Sequence, residues 1–290
     1  MNATTDTNLS KAASRSIGAI LIDTGRLTPE SAERILKLQK EQDLRFGDAA
    51  IQLGLLSEAD IQQALSRQYD YPYLMAGDDR VSEEVVAAFK PFSPVVEQLR
   101  ALRSQLMLRW IDAEAGHNAL SVISPGRGEG RSFTAANLAV VFSQLGERTL
   151  LIDADLRNPS QHRLFRLENR IGLSSVLAGR AELPGAIVRI PGLIDLSVLP
   201  VGAVPPNPQE LLSRPNFNAL LATVQGRYDI VVIDTPAGIE TADSQAIAAR
   251  ARGALLVTRK DISSAPQVKN LVAKMQSIGV VVVGAVFNKG

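Results

Sequence analysis

Residues 124–133 read Ser-Pro-Gly-Arg-Gly-Glu-Gly-Arg-Ser-Phe. Before them, Ala119, Leu120, Val122 and Ile123 form a short apolar run that reads as a buried strand. After them, Thr134 to Val141 reads as the start of a helix. A strand, a glycine-rich loop and a helix in that order crowd backbone N–H groups around a phosphate, with the positive end of a helix dipole behind them. The stretch therefore predicts a nucleotide held by Gly126, Arg127, Gly128, Glu129, Gly130, Arg131, Ser132 and Phe133. Where such loops carry lysine, after Gly130, this sequence has Arg131.

Working outward, Thr149 to Ile152 is a second apolar strand, and it delivers Asp153-Ala154-Asp155-Leu156-Arg157 at its carboxyl end. Carboxylates at i and i+2 of a strand end face one side and can hold a hydrated Mg²⁺. Ile230 to Ile233 ends in Asp234-Thr235-Pro236, the position of the second acidic motif in a nucleotide-binding sheet. Leu196 to Leu199, Ala254 to Val257 and Val280 to Val286 are further candidate strands, with helices expected over Ala242 to Ala251 and Pro266 to Ile278. Near-continuous apolar strands alternating with helices argue an α/β fold, a mostly parallel P-loop sheet flanked by helices. One Asp at a strand end is also what a cap or turn would use. Three in this order, beside the glycine loop, predict a nucleotide fold.

Composition narrows the function classes. Lys and Arg total 31 against 30 Asp and Glu, a net charge of +1. That balance gives no broad electrostatic reason to bind nucleic acid or an anionic membrane. The absence of cysteine excludes disulfides, thiolate metal sites and a cysteine nucleophile. Residues 1–15 are polar and expected to be disordered, without the apolar core of a signal peptide. No later run is long and apolar enough to span a bilayer. The chain is expected to be cytoplasmic, with no direct membrane insertion.

A repeat opens the ordered part. Residues 16–39 and 45–68 align so that Gly18 meets Gly47, Ile22 meets Ile51, Gly25 meets Gly54, Leu27 meets Leu56, Leu36 meets Leu65 and Gln39 meets Gln68. Each copy reads as a short helix ending at a glycine, then a Thr28 or Ser57 N-cap and a second amphipathic helix. The pattern by itself describes a small helical interaction module over 16–74. A linker is expected over 75–94, where Gly77, Pro91 and Pro94 interrupt periodicity, although 82–89 could form a short helix. Tyr69, Tyr71 and Tyr73 alternate like an aromatic strand packed on the small domain. The nucleotide domain is expected over 95–290. Its first helix, Val95 to Trp110, carries Glu97, Arg100 and Arg103 three apart on one face.

The tandem unit resembles the N-terminal domain of type II secretion and type IV pilus assembly ATPases, some of which bind cyclic di-GMP. That resemblance implies Gly18, Gly25, Gln39, Arg45, Gly47, Gly54 and Gln68 as candidate contacts. Its first copy opens Ser16-Ile17-Gly18 and its second Arg45-Phe46-Gly47, where the family pattern opens Arg-Leu-Gly.

From about Pro91 onward the chain resembles the bacterial tyrosine kinases, P-loop proteins that act with membrane chain-length-determinant proteins in exopolysaccharide export. The matching motifs are Gly-Glu-Gly-Arg-Ser at 128–132, Leu-Ile-Asp-Ala-Asp-Leu-Arg at 151–157, Pro-Asn-Pro-Gln-Glu-Leu-Leu at 206–212, Ile-Asp-Thr-Pro at 233–236 and Glu97-x-x-Arg100-x-x-Arg103. The resemblance implies an ATP-dependent tyrosine kinase, in which Ser132, Asp153, Asp155 and Asp234 organise Mg²⁺ and one aspartate assists tyrosine deprotonation. It also implies Asn288 near the adenine, and Glu97, Arg100 and Arg103 pairing between subunits of a homo-oligomeric ring. The chain would sit peripheral to the inner membrane through its partner.

Three departures from the family pattern leave a second reading open. Arg131 is a planar, larger cation than the lysine that bridges β- and γ-phosphates. Phe133 replaces a common threonine, and the sequence closes on Asn288-Lys289-Gly290 without a tyrosine cluster. These favour a catalytically weak nucleotide-binding regulator of the same machinery. A ParA/MinD-like positioning ATPase shares the sheet, but no basic amphipathic C-terminal helix or basic block supports it.

Overall fold

A computed structural model describes residues 16–68, 73–74, 77–239 and 241–289. The chain forms two compact units, one ending at Pro72 and one beginning at Tyr73. Residues 1–15, expected to be disordered, and Tyr69 and Tyr71 of the expected aromatic strand lie outside the described residues.

The first unit holds helices α1 (Ile17–Asp23), α2 (Pro29–Gln42), α3 (Phe46–Gln52) and α4 (Glu58–Gln68). The Thr28 hydroxyl caps α2 by accepting the Ser31 N–H at 3.2 Å. Ser57 and Asp60 cap α4 reciprocally: Ser57 Oγ accepts the Asp60 N–H at 3.2 Å, and Asp60 Oδ2 accepts the Ser57 N–H at 2.9 Å. Helix α1 packs on α4, and α2 packs on α3. The first helix of each copy thus lies on the second helix of the other, and Ile20, Leu21, Ile35, Ala49, Ala50 and Ala64 form one shared core. A single copy would leave that core half open, which is why the unit is a pair.

The second unit begins with α5 (Val86–Phe89) and α6 (Pro94–Arg109), followed by β1 (Ala119–Ile123), α7 (Arg131–Ser143) and β2 (Thr149–Asp153). Short helices α8 (Gln161–Leu164), α9 (Leu173–Leu177) and α10 (Leu183–Ala186) lead to β3 (Val188–Arg189) and β4 (Leu196–Leu199). Then come α11 (Pro208–Ser213), α12 (Pro215–Gln225), β5 (Ile230–Asp234), α13 (Asp243–Ala251), β6 (Gly253–Arg259), α14 (Ala265–Ser277) and β7 (Val281–Asn288). The seven strands form one sheet in the order β3-β4-β2-β5-β1-β6-β7. Every pairing is parallel except β3 with β4.

The apolar strand runs are continuous because both sheet faces are covered. Leu151 and Val232 pack into a core with α6 and α7, while Leu150, Ile152, Val231 and Ile233 pack into a second core with α12. Parallel pairing brings the carboxyl ends of β1, β2 and β5 together, with Asp153 opposite Asp234 in the register. The helix after the glycine loop starts at Arg131, three residues earlier than the sequence pattern placed it.

The expected linker over 75–94 is corrected by the structure. Leu74, Val81, Val85, Ala87 and Ala88 are buried in the core that contains α6 and α7. Asn137 of α7 fastens this segment. Its Oδ1 accepts the Ala87 N–H at 2.8 Å, and its Nδ2 donates to Glu84 O at 3.2 Å and Phe133 O at 2.9 Å. Gln144 Nε2 donates to Ala87 O at 2.9 Å. Among the described residues, no helix is long and apolar enough to cross a membrane.

Asn137→Ala leaves a buried Ala87 N–H without its acceptor. The expected loss in urea unfolding is about 1–3 kcal/mol, a drop that a true linker segment would not produce.

Candidate nucleotide site

The glycine loop sits over the carboxyl ends of β1, β2 and β5. Gly128 and Gly130 have φ of 70° and 97°, backbone that other residues adopt at a strain. At Gly130 a Cβ would lie 2.4 Å from Asn288 Nδ2, so any larger residue there would displace the Asn288 amide from the loop.

Arg131, the residue that departs from the lysine pattern, points inward and is 8% exposed. Its Nε donates to Thr235 O at 2.8 Å, and its Nη1 donates to Gly126 O at 2.7 Å and to the Ser124 hydroxyl. Its Nη2 lies 3.9 Å from Asp155 Oδ2. One guanidinium thus reaches the loop and the segments that follow β2 and β5. It still lines a cavity of about 230 Å³ with Arg127, Gly128, Ser132, Asp155, Arg157 and Thr241.

The three aspartates occupy different environments. Asp153 is fully buried, and its oxygens accept N–H groups from Asp155 at 3.2 Å and from Ser160 and Gln161 at 2.9 Å each. Asp155 accepts the N–H groups of Arg157 at 3.2 Å and Asn158 at 2.9 Å, and faces the cavity. Asp234 Oδ2 accepts from Gln161 Nε2 at 2.7 Å, and the Ser132 hydroxyl also hydrogen-bonds Asp234. Asp234 Oδ1 is buried with no partner. Among the described residues, no group of three or more His, Cys, Asp or Glu side chains could hold a metal alone. The expected quartet of Ser132, Asp153, Asp155 and Asp234 therefore divides. Asp153 accepts three backbone N–H groups, whereas Ser132, Asp155 and Asp234 are suited to a hydrated cation that also takes phosphate oxygens.

Burial raises the pKa of Asp153 well above the ordinary value, and the Asp234 charge adds to the shift. Burial also raises Asp234, against the lowering effects of the Arg131 charge and the bonds from Ser132 and Gln161.

Glu129 braces the loop from the other side and is only 1% exposed. Its Oε2 accepts the Gly126 N–H at 2.7 Å, and its Oε1 accepts from the Ser263 hydroxyl. Arg259 Nη1 donates to Gly128 O at 2.8 Å, and Asn288 Nδ2 to Glu129 O at 3.3 Å. The N–H groups of Gly238 and Ile239 hold the carbonyls of Ser124 and Pro125 at 2.9 and 3.1 Å. Phe133 and Asn288 line a second cavity of about 470 Å³, of mixed polarity, with Val95, Gln98, Leu99, Leu102 and Phe287.

Sequence reasoning missed Gln161, Glu129 as a brace, and the ion pair of Arg157 Nε with buried Asp243 at 2.7 Å. A neutral amide carries no periodic or charge signal. His162 lies on α8, where burial lowers its pKa.

The residues expected to pair between subunits do not share one environment. Arg100 Nη1 donates to Glu97 at 3.0 Å within α6, whereas Arg103 Nη1 turns onto Val141 O of α7 at 2.8 Å. In the first unit the repeated glycines have packing reasons. A Cβ at Gly18 would lie 3.3 Å from Phe46, and one at Gly47 would lie 3.1 Å from Ile61; Gly25 and Gly54 end α1 and α3 in left-handed backbone. Arg45 is the exposed N-cap of α3, and Gln39 and Gln68 are half-buried on α2 and α4.

Residues 116–289 match a ParA family described as the NUBPL iron-transfer P-loop NTPase. The match covers the P-loop framework of the second unit. The EpsB protein of Ralstonia solanacearum is 38% identical over 200 residues, 68% of this chain and 26% of EpsB. The chain thus spans about a quarter of that relative's length. The tyrosine-protein kinase YwqD of Bacillus subtilis is 40% identical over 195 residues, 67% of this chain and 79% of YwqD.

Among solved structures, the chimerical protein CapA2B2 has a TM-score of 0.67 at 29% identity, covering 79% of this chain and 98% of that one. The kinase domain of the Escherichia coli tyrosine kinase ETK has a TM-score of 0.66 at 33% identity, covering 70% and 79%. The septum site-determining protein MinD of Pyrococcus horikoshii, complexed with Mg-ADP, has a TM-score of 0.52 at 26% identity, covering 59% and 69%.

The raised carboxylates set a pH dependence. Folded protein retains protons on Asp153 and Asp234 that the unfolded chain has released above the ordinary value of 3.8. Stability of the nucleotide-free protein therefore falls as pH rises from that value through the raised ones. Asp234→Asn removes one carboxylate, and its melting temperature should decline less steeply from pH 5 to pH 8 than that of the wild type, as followed by differential scanning fluorimetry.

Proposed function

The chain belongs to the bacterial tyrosine-kinase family of P-loop proteins, and from that premise we propose that its second unit is an ATP- and Mg²⁺-dependent protein tyrosine kinase of an exopolysaccharide export system. The observation that supports this most is the convergence of Ser132, Asp155 and Arg131 on one cavity beside Asp234, whose buried Oδ1 has no donor. Such an oxygen fits a hydrated cation, and the MinD structure with Mg-ADP shows the related fold binding one.

In this reading Ser132 and Asp234 hold the metal, and Asp155, at the cavity wall, assists and receives the tyrosine proton. Bound Mg²⁺ supplies charge neutralisation at the β- and γ-phosphates. Asp153 keeps the segment after β2 in shape by accepting three N–H groups. The base of the nucleotide occupies the cavity at Phe133 and Asn288. Arg131 reaches the phosphates only by leaving Thr235, Gly126 and Ser124.

The family resemblance further suggests a membrane chain-length-determinant protein as partner and a ring of copies. Glu97, Arg100 and Arg103 on α6 are the residues for that contact. It also suggests cyclic di-GMP as a ligand of the tandem unit through Arg45. Calorimetric titration tests this, and no heat at high ligand concentration leaves that unit a docking module.

A second reading, a nucleotide-binding regulator with little transfer activity, is favoured by the inward bonding of Arg131. Radiolabelled ATP separates the two. Phosphotyrosine should appear on the wild type or a partner peptide and vanish in Asp155→Ala and Asp234→Ala. Wild type that binds ATP and never labels is the regulator. Arg131→Lys releases the inward bonds while keeping a cation, and should raise the labelling rate about tenfold.

A further inference from the structure

Gln161 is the first residue of α8, and no motif reading singled it out. It is wholly buried, yet it touches all three motif elements. Its backbone N–H donates to Asp153 Oδ2 at 2.9 Å. Its side-chain Nε2 donates to Asp234 Oδ2 at 2.7 Å and to the Ser132 carbonyl at 3.1 Å. We infer that Gln161 is a positioning residue, setting the Asp234 carboxylate and Ser132 in the relative orientation that a magnesium–nucleotide complex requires.

The inference rests on the nucleotide-and-Mg²⁺ reading of the cavity and adds the residue that prepares it. A carboxylate fixed through one oxygen presents the other in a defined direction. The Gln161 amide engages Oδ2, and Oδ1 is left buried without a donor. Gln161 Oε1 is likewise buried without a donor. Two donor-less oxygens on two bonded side chains are unfavourable in a closed protein interior, and a cation or its water relieves such a pair. The chemistry of the donor matters too. An arginine or lysine in this place would neutralise Asp234, whereas a neutral amide orients it and leaves the negative charge for a divalent ion. Anchoring to the Ser132 carbonyl extends the control to the hydroxyl-bearing residue of the glycine loop. A polar core residue with a purely structural role would change stability and leave the magnesium requirement alone.

The test is binding of a fluorescent ATP analogue to the full chain, with Mg²⁺ titrated from an EDTA baseline. Wild type should bind more tightly as Mg²⁺ is added. Gln161→Met keeps the side-chain length and removes the amide. It should need at least about tenfold more Mg²⁺ for half-saturation, with affinity in EDTA within about twofold of wild type. If Gln161→Met does not fold, Gln161→Ala avoids any overpacking. On the unaltered chain, the Gln161 side-chain amide resonances should move when Mg²⁺ is added to nucleotide-saturated protein. An unchanged magnesium requirement in the variants, or unmoved resonances, overturns the inference while the nucleotide reading stands. Wild type that ignores Mg²⁺ or nucleotide altogether overturns both.

Discussion

The guanidinium of Arg131 joins the ends of the three central strands. Its Nε bonds the carbonyl of Thr235 beyond β5, its Nη1 bonds Gly126 and Ser124 beyond β1, and its Nη2 faces Asp155 beyond β2. Only a planar fork with donors on several nitrogens can address all of these directions, and a lysine ammonium at the end of one stem cannot. Parallel pairing places Asp153 against Asp234 in the register, and Asp155 follows two residues later. That crowd of buried carboxylates needs a cation, and Arg131 supplies one.

The glycine loop is fixed independently from its outer side. Glu129 bridges Gly126 and Ser263, Arg259 holds the Gly128 carbonyl, Asn288 closes on Glu129, and the Gly238 and Ile239 amides hold the start of the loop. A loop held at so many points has little conformational freedom to lose when a phosphate arrives. Its amides are already oriented, so ligand entry reduces to a change of partners for one side chain.

Much of this was legible in the sequence, for definite reasons. β1, β2 and β5 are unbroken apolar runs because both faces of a parallel sheet are covered, and the acidic residues fall at their carboxyl ends because ligands bind there. The tandem repeat was legible because an interlocked pair of copies demands the same caps and close-packed glycines twice. The segment over 77–94 was misread because Gly77, Pro91 and Pro94 outweighed Val81, Val85, Ala87 and Ala88, whose burial comes from Asn137 and Gln144, dozens of residues away. The two-residue β3 was too short to register. Asp153 and Asp155 look equivalent in a two-residue repeat, but β2 ends at Asp153 and the alternation ends with it. The direction of Arg131 was not legible at all, since a side chain with several competing acceptors is settled by tertiary geometry.

Those competing acceptors define an exchange of like for like. A hydrogen bond from a charged group contributes about 1.5–3 kcal/mol net, and phosphate oxygens offer bonds of the same class as the carbonyls and hydroxyl that hold Arg131 now. The two arrangements are therefore separated by a small difference between large terms, the condition under which a modest bias shifts a population. Mg²⁺ supplies that bias with the right sign. Once a divalent ion answers the carboxylates, Asp155 and Asp234 no longer require the guanidinium, and the reason for its inward position weakens as the reason for an outward one appears. A lysine loop needs no such release. On the nucleotide-and-Mg²⁺ reading proposed above, arginine at this position would make occupancy of the phosphate site depend on metal and nucleotide arriving together.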